Sequence, residues 1–443
     1  MSLKKGIFYT LLTQAPTLFL FFISSTLMTR LLGDEGRGAY ALLTNQVALL
    51  SMLLWVNLGF GLTYFTSKAN MPLRSIVGTA STILLLNIVL AAAALLAIHD
   101  GPMLHGIFMP GDGVYAGYYI FVFVSIILGL INSTVAAILL GQKQFKAINM
   151  MSIFTAAVGA IGFAVLYVLH GDTASMTVLP SVLWVSMAGM LLISLGWCVL
   201  YLIHVKIPPI PVFEKQVVWP IIGFSLVGYL SNMVNLINYR FDVWVVDHHH
   251  GTSALGLYAA AVGIGQLLFY IPEPFSRVVQ PYLYGQAKNE MLSRYKAVAR
   301  VNFTTVMVLA IVLALLAPWV VPLLFGEVFI DSVPALRLLL PGIVFSSASK
   351  LLAQLVVQSG LQQFNLYATI AGAVVTILLD LLLIPIWGIE GAALTSSISY
   401  LVILAVIIGV IRFRLNITVH DLFLMHREDM LNLRRSIPWR SAS

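Results

Sequence analysis

Four polar residues in one otherwise apolar segment, Ser231, Asn235, Asn238 and Asp242, follow one another at spacings of four, three and four. On a helix this spacing sets a hydroxyl, two amides and a carboxylate along one face. Such a stripe is costly to turn toward apolar surroundings, so it faces either a cavity or a neighbouring helix. A second acid, Asp380, falls at similar depth in a later apolar segment, with Thr376 one turn before it. Two carboxylates in low dielectric repel unless they share a proton or a cation. With an amide oxygen of Asn235 or Asn238 and the hydroxyls of Thr376 and Thr395, Asp242 and Asp380 have the donors for an oxygen cage suited to sodium. In the other reading each acid is satisfied separately by hydroxyls or backbone.

The basic residues within apolar segments suit a different ligand. Lys350 sits among Ser346, Ser347 and Ser349; Arg277 and Arg240 lie in neighbouring segments, and Arg30 closes the first. Facing an enclosed path, these cations would hold phosphate groups; facing outward, they would snorkel to the interface. Arg240 is two residues from Asp242, on roughly the opposite side of a helix, so the two are poor partners. Thr10, Gln14, Thr17 and Ser24 form a second polar stripe near the start of the chain, matching the one that runs through Asn235. Catalysis has no comparable support, since no Ser/His/Asp set or carboxylate pair has catalytic spacing. His248, His249 and His250 are consecutive and point in different directions, as in a solvated outer loop. Cys198, the only cysteine, excludes an intrachain disulfide, and its apolar neighbours predict a packing role. No metal other than sodium at Asp242 and Asp380 is indicated, and no enzyme activity.

The elements that carry these residues must be membrane helices. Hydrophobic residues make up 60% of the 443, and charged ones only 9%, against about 25% in soluble domains. About twelve apolar runs are long enough to cross the hydrocarbon core, which takes about 20 residues. They fall near 6–32, 39–66, 75–98, 114–140, 148–169, 176–204, 218–246, 253–284, 301–325, 335–358, 363–386 and 391–412. With a cytoplasmic N-terminus, 18 Lys and Arg residues lie inside and only Arg30, Arg37 and Arg337 outside, as the positive-inside rule requires. The net charge of +7 then reflects topology and attraction to anionic lipid rather than nucleic acid. The first span reads as a retained signal-anchor.

The chain also echoes itself. Gly33-Asp34-Glu35-Gly36-Arg37-Gly38-Ala39-Tyr40 returns as Gly251-Thr252-Ser253-Ala254-Leu255-Gly256-Leu257-Tyr258, an offset of 218. Gly141 to Phe145 returns as Gly360 to Phe364, an offset of 219. The expected fold is an all-α integral membrane protein, two pseudo-symmetric six-helix lobes around a central cavity. The lobes would be residues 1–205 and 217–412, joined by a proline-rich cytoplasmic linker at 206–216 and followed by a basic cytoplasmic tail at 413–443. Pro16, Pro220, Pro272 and Pro274 could let helices bend.

Several segments resemble polysaccharide and O-antigen flippases of the MOP exporter superfamily. These are Arg30-Leu31-Leu32-Gly33 running to Tyr40, Tyr239-Arg240-Phe241-Asp242 running through Tyr258 to Pro281, Leu324-Phe325-Gly326 with Ala335-Leu336-Arg337, and Leu383-Ile384-Pro385-Ile386-Trp387-Gly388-Ile389-Glu390-Gly391. The resemblance implies a multi-pass inner-membrane transporter with both termini cytoplasmic. By alternating access it would flip undecaprenyl-pyrophosphate-linked oligosaccharide, an O-antigen or exopolysaccharide repeat unit. Lys350, Arg277, Arg240 and Arg30 would hold the pyrophosphate, and the stripes with Gln14 and Asn235 would accommodate sugars. Sodium or proton coupling would use Asp242, Asp380, Asn238, Thr376 and Thr395. The chain would work as a monomer among membrane lipids and polysaccharide polymerase or assembly proteins, with no bound cofactor. A multidrug exporter of the same superfamily is the nearest rival, and a membrane glycan-processing enzyme the rival of another class.

Overall fold

The computed structural model describes residues 3–55, 58–68, 71–110, 116–270, 288–418 and 420–423. Side chains are described from residue 16 onward, apart from those of 102, 106, 107, 227, 228, 231, 270, 288–295, 358, 420 and 421. Every regular element among the described residues is helical, as lipid demands of backbone groups that have no water to bind. In chain order these are α1 (Leu3–Trp55), α2 (Leu58–Lys68), α3 (Leu73–Asp100), α4 (Pro102–Phe108), α5 (Ala116–Gly141), α6 (Phe145–His170) and α7 (Leu179–His204). They continue as α8 (Lys215–Gln266), α9 (Lys288–Phe325), α10 (Val333–Gln358), α11 (Gln363–Leu415) and α12 (His420–Phe423).

Three helices are too long for one crossing. The 53 residues of α1 would extend about 80 Å at 1.5 Å per residue, against a hydrocarbon core of about 30 Å. Each is broken near its middle by a glycine with positive φ: Gly33 in α1 (φ 64°), Gly251 in α8 (φ 79°) and Gly388 in α11 (φ 57°). Only glycine enters that backbone region without steric cost. Nine described helices are long and apolar enough to span a membrane; counting two arms for each broken helix gives twelve crossings. The ends agree closely with the sequence reading: 114–140 is observed as Ala116–Gly141, and 335–358 as Val333–Gln358. The eighth span is helical to Gln266 with a further short turn to Tyr270; its predicted remainder, with Pro272, Pro274 and Arg277, lies outside the described residues, as does most of the tail.

The repeat is written in the backbone as well as in the sequence. Positive φ recurs at Gly33 and Gly251, at Lys143 and Gly360, and at Gly171 and Gly388, offsets of 218, 217 and 217. The echoed glycines Gly38 and Gly256 also touch each other's helix. A Cβ on Gly38 would stand 1.7 Å from the Thr252 carbonyl oxygen, and one on Gly256 1.8 Å from that of Asp34. Ser253 donates a hydrogen bond to the Asp34 carboxylate at the same crossing. Small residues admit this approach, as they do wherever membrane helices pack without hydrophobic driving force.

Two compact units divide the chain. One comprises Ala15–Leu236 and Val243–Leu257, the other Met1–Gln14, Ile237–Asp242 and Tyr258–Ser443. The core of the first centres on Leu31, Leu32, Leu43, Phe121, Val122, Ile126 and Leu179, all fully buried. In the second, α10 packs most extensively on α11, around Leu352, Leu355, Ala368 and Ile411. Many large apolar side chains, such as Leu86, Val89 and Leu96 on α3, remain exposed, the surface that lipid would cover. Cys198 shares that surface: it is exposed on α7, not packed inside as its neighbours suggested. In a membrane helix apolar neighbours line the lipid face as readily as the core, so they do not report burial. The proline-rich segment after α7 is strapped down, with Val212 N–H donating to Gly78 O (3.1 Å) and Ser75 Oγ to Glu214 Oε1 (3.0 Å).

Candidate functional site: a buried acid and hydroxyl cluster

The first arm of α8 carries Asn238 and Asp242 one turn apart, both buried. The two arms of α11, turned back at Gly388, bring Thr376 and Asp380 opposite Thr395, Ser396, Ser399 and Tyr400. Asn238 is fully engaged. Its amide nitrogen donates to the Thr369 carbonyl (3.1 Å), and its oxygen accepts from Thr376 Oγ1 (3.2 Å). Thr376 lies 2.8 Å from Ser399 Oγ, which also binds the Gly372 carbonyl at 3.0 Å. Asp242 accepts from the Tyr258 hydroxyl at 2.5 Å, and that hydroxyl lies 3.5 Å from Ser396 Oγ.

Asp380 is different. It is only 1% exposed, and among the described residues neither carboxylate oxygen has a partner in hydrogen-bond geometry. The Thr395 hydroxyl, also fully buried, lies near it without reaching hydrogen-bond geometry and has no partner either. Asp242 is close enough to act on Asp380 electrostatically. An ionised carboxylate left dry and unpaired is strongly unfavourable, so the group must carry a proton or meet a cation. A cavity of about 20 Å³ opens among Asp242, Tyr258, Ser396, Tyr239 and Tyr400. That volume exceeds the roughly 10–15 Å³ a single water needs. It suits a water or a small ion and is far too small for a sugar. The carboxylates, amide oxygen and hydroxyls here are hard oxygen donors of the kind sodium prefers.

The expected cation sits on the rim of this cluster. Lys350 is exposed, with its Nζ 3.7 Å from the Phe269 ring centre and 5.6 Å from that of Tyr239, within cation–π range. Tyr239 also packs on Tyr400, ring centres 5.6 Å apart, so one aromatic side chain touches both the lysine and the wall of the acid cavity. Arg240 is half-buried on the same arm, within electrostatic reach of Tyr400. Of the two amides, Asn238 is the one bound into the network, and Asn235 is half-buried.

Arg30 stands elsewhere. It belongs to the other compact unit, pairs with Asp172 at 3.3 Å, and its main-chain oxygen accepts from the Ala174 N–H at 3.2 Å. It fastens the turn between α6 and α7 to the break at Gly33. Arg277 and the Gln14 side chain lie outside the described residues. His248 and His249 are exposed at the end of the first α8 arm, and no group of three metal-ligating side chains occurs among the described residues.

Sequence reasoning missed Tyr258, Tyr239 and Tyr400 as parts of the site, along with Ser396 and Ser399. A signal existed. Thr395-Ser396-Ser397-Ile398-Ser399-Tyr400 puts five hydroxyls in six residues of a membrane span, a density lipid would not tolerate. Ser397 has a packing use instead, donating to the Leu338 carbonyl at 2.5 Å and accepting from the Gly342 N–H at 3.1 Å.

Comparison with known proteins bears on the fold and the family. An inward-facing multidrug resistance MATE family transporter of the MOP superfamily superposes with a TM-score of 0.71 at 17% identity, over 90% of this chain and 94% of that one. The lipid II flippase MurJ in an inward closed conformation gives a TM-score of 0.73 at 12% identity, over 93% and 88%. A MOP superfamily transporter from Pyrococcus furiosus gives 0.56 at 16%, over 94% and 96%. These likenesses establish the fold. No curated protein sequence matches. The family described as polysaccharide biosynthesis protein matches residues 3–284, more than half of the chain. On a MOP transporter fold, then, this chain belongs to the polysaccharide biosynthesis protein family.

Proposed function

We propose that the protein flips an undecaprenyl-pyrophosphate-linked oligosaccharide from the cytoplasmic to the outer leaflet of a bacterial inner membrane. The observation that carries the reading is Asp380, a buried carboxylate beside Asp242 with only the Thr395 hydroxyl close to it, in a chain of a polysaccharide-synthesis family. A fold kept at rest would replace such a group. A secondary transporter uses it, because taking up or losing a cation there favours one facing of the protein over the other. Asp242, Asp380, Asn238, Thr376 and Thr395 would form the coupling site for sodium or a proton. Lys350, with Arg277 and Arg240, would meet the pyrophosphate in a cavity between the lobes 1–205 and 217–412. The lipid tail would stay in the bilayer. Both termini would be cytoplasmic, the working unit a monomer, and the neighbours in the pathway polysaccharide polymerase and assembly proteins.

Transport rather than chemistry is supported by the transporter relatives and by side chains grouped around an ion-sized cavity. The fold shared with a multidrug transporter favours one second reading, export of cationic drugs. The exposed Lys350 beside the site argues for an anionic cargo instead. The deciding experiment deletes the gene and follows surface glycans together with lipid-linked intermediates. Loss of surface polysaccharide with build-up of the intermediate is expected. Normal glycans with raised drug sensitivity would reverse the assignment.

A further inference from the structure

The ion-sized cavity cannot receive a sugar, yet a flippase cargo carries several. The first compact unit holds a second cavity, of about 290 Å³, at the lower end of the roughly 300–1,000 Å³ typical of ligand pockets. Three helices contribute one turn each. Ser51 and Trp55, four apart, come from the second arm of α1. Gly129 and Ser133, four apart, come from α5, and Tyr229 and Asn232, three apart, from the first arm of α8. Spacings of three and four put both members of each pair on one helix face.

The chemistry of this wall is selective. Two aromatic side chains, three hydroxyls counting that of Tyr229, and one amide line it beside Met52 and Leu130, with no charged group among the described lining residues. No side chain among the described lining residues carries a positive charge that would hold a phosphate. Aromatic faces stack against the C–H edges of a pyranose ring, while hydroxyls and an amide donate to and accept from its hydroxyls. Gly129 adds room: a Cβ built on it would meet nothing within 4 Å. Asn232 is exposed and Tyr229 half-buried, so the polar groups are reachable rather than locked into helix packing.

We infer that this cavity, formed by Trp55, Tyr229, Asn232, Ser51, Ser133 and Gly129, is a binding subsite for an uncharged sugar ring of the cargo. The inference rests on the flippase reading for the origin of the sugar, but the subsite is tested without transport. The full-length protein in lipid nanodiscs is offered glucose, galactose and N-acetylglucosamine, and contact is read by saturation-transfer NMR. At least one sugar receives saturation from the wild type, and inorganic pyrophosphate does not displace it. Gly129→Met fills the cavity from a position with open space, and Asn232→Leu removes the amide from an exposed one, so both variants fold. Each lowers the transfer at least tenfold while the Tm stays within a few degrees of wild type. No transfer to any of the three sugars, displacement by pyrophosphate, or undiminished transfer with Gly129→Met overturns the assignment. A wild type that binds sugar but whose deletion leaves surface glycans intact would sink the flippase reading and leave the subsite standing.

Discussion

Asp380 shows what a single residue can cost a membrane protein. Its two oxygens are buried with only the Thr395 hydroxyl near them, and an amide in its place retains the shape but can neither ionise nor exchange a proton. Asp380→Asn is expected to leave the Tm within a few degrees of wild type and to abolish the dependence of export on an ion gradient. A variant that loses stability and keeps gradient-driven export would mean that the carboxylate is structural. Asp242 has a different balance, because Tyr258 already satisfies part of it, and its removal leaves that hydroxyl without its acceptor. Lys350 carries the charge test. With its ammonium over Phe269 and Tyr239, Lys350→Ala gives up a cation–π contact of about 0.5–1 kcal/mol, too little to unfold the chain. Glycolipid export should nonetheless fall at least tenfold. Unchanged surface polysaccharide in a complemented deletion strain would remove the lysine from the site.

At the level of helices, the informative positions are glycines, and they are not equivalent. Gly38 and Gly256 lie where the α1 and α8 backbones meet so closely that any Cβ would overlap a carbonyl oxygen. Gly38→Ala or Gly256→Ala must push the helices apart, at a cost of about 3 kcal/mol or more. Gly129→Ala is the control, since its Cβ enters open space and alanine favours helix by up to about 1 kcal/mol. Denaturation midpoints in one detergent compare the three, and equal Tm values would contradict the close crossing. The broken helices follow the same physics: Gly33, Gly251 and Gly388 each let one long apolar helix become two crossings. Their breaks were legible from the sequence as the gaps 32–39, 246–253 and 386–391 between predicted spans. What was not legible is that the helices resume at once, without loops between the arms.

For the molecule as a whole, the duplication and the charge asymmetry make a topological prediction. Cys198 is the sole cysteine and exposed on α7, so Cys198→Ala should change stability by no more than about 0.5 kcal/mol and yield a cysteine-free chain. In that chain Lys143→Cys and His249→Cys, both at exposed positions, should react with a membrane-impermeant maleimide from opposite sides. Lys143→Cys is expected to label only after permeabilisation, and His249→Cys in intact cells. Labelling of both from one side would refute the positive-inside assignment.

Composition and periodicity alone indicated that the chain lives in lipid, about how many helices cross it, and that its sequence echoes itself at an offset of about 218. These are properties of consecutive residues, and a twenty-residue apolar run or a glycine at a helix break acts locally. The polar stripe of α8 was legible for the same reason, because spacing along one helix is a local quantity. Which stripe members matter was decided only in three dimensions. Asn238 is spent on Thr369 and Thr376, Asp242 meets a tyrosine sixteen residues away, and Asp380 has only the Thr395 hydroxyl near it. Arg30 stood in sequence at the outer end of its span, open to snorkelling or to a phosphate, yet pairs with Asp172, 142 residues on. Such partners come from helices distant in the chain, and no spacing rule foretells which face of one helix will pack on another.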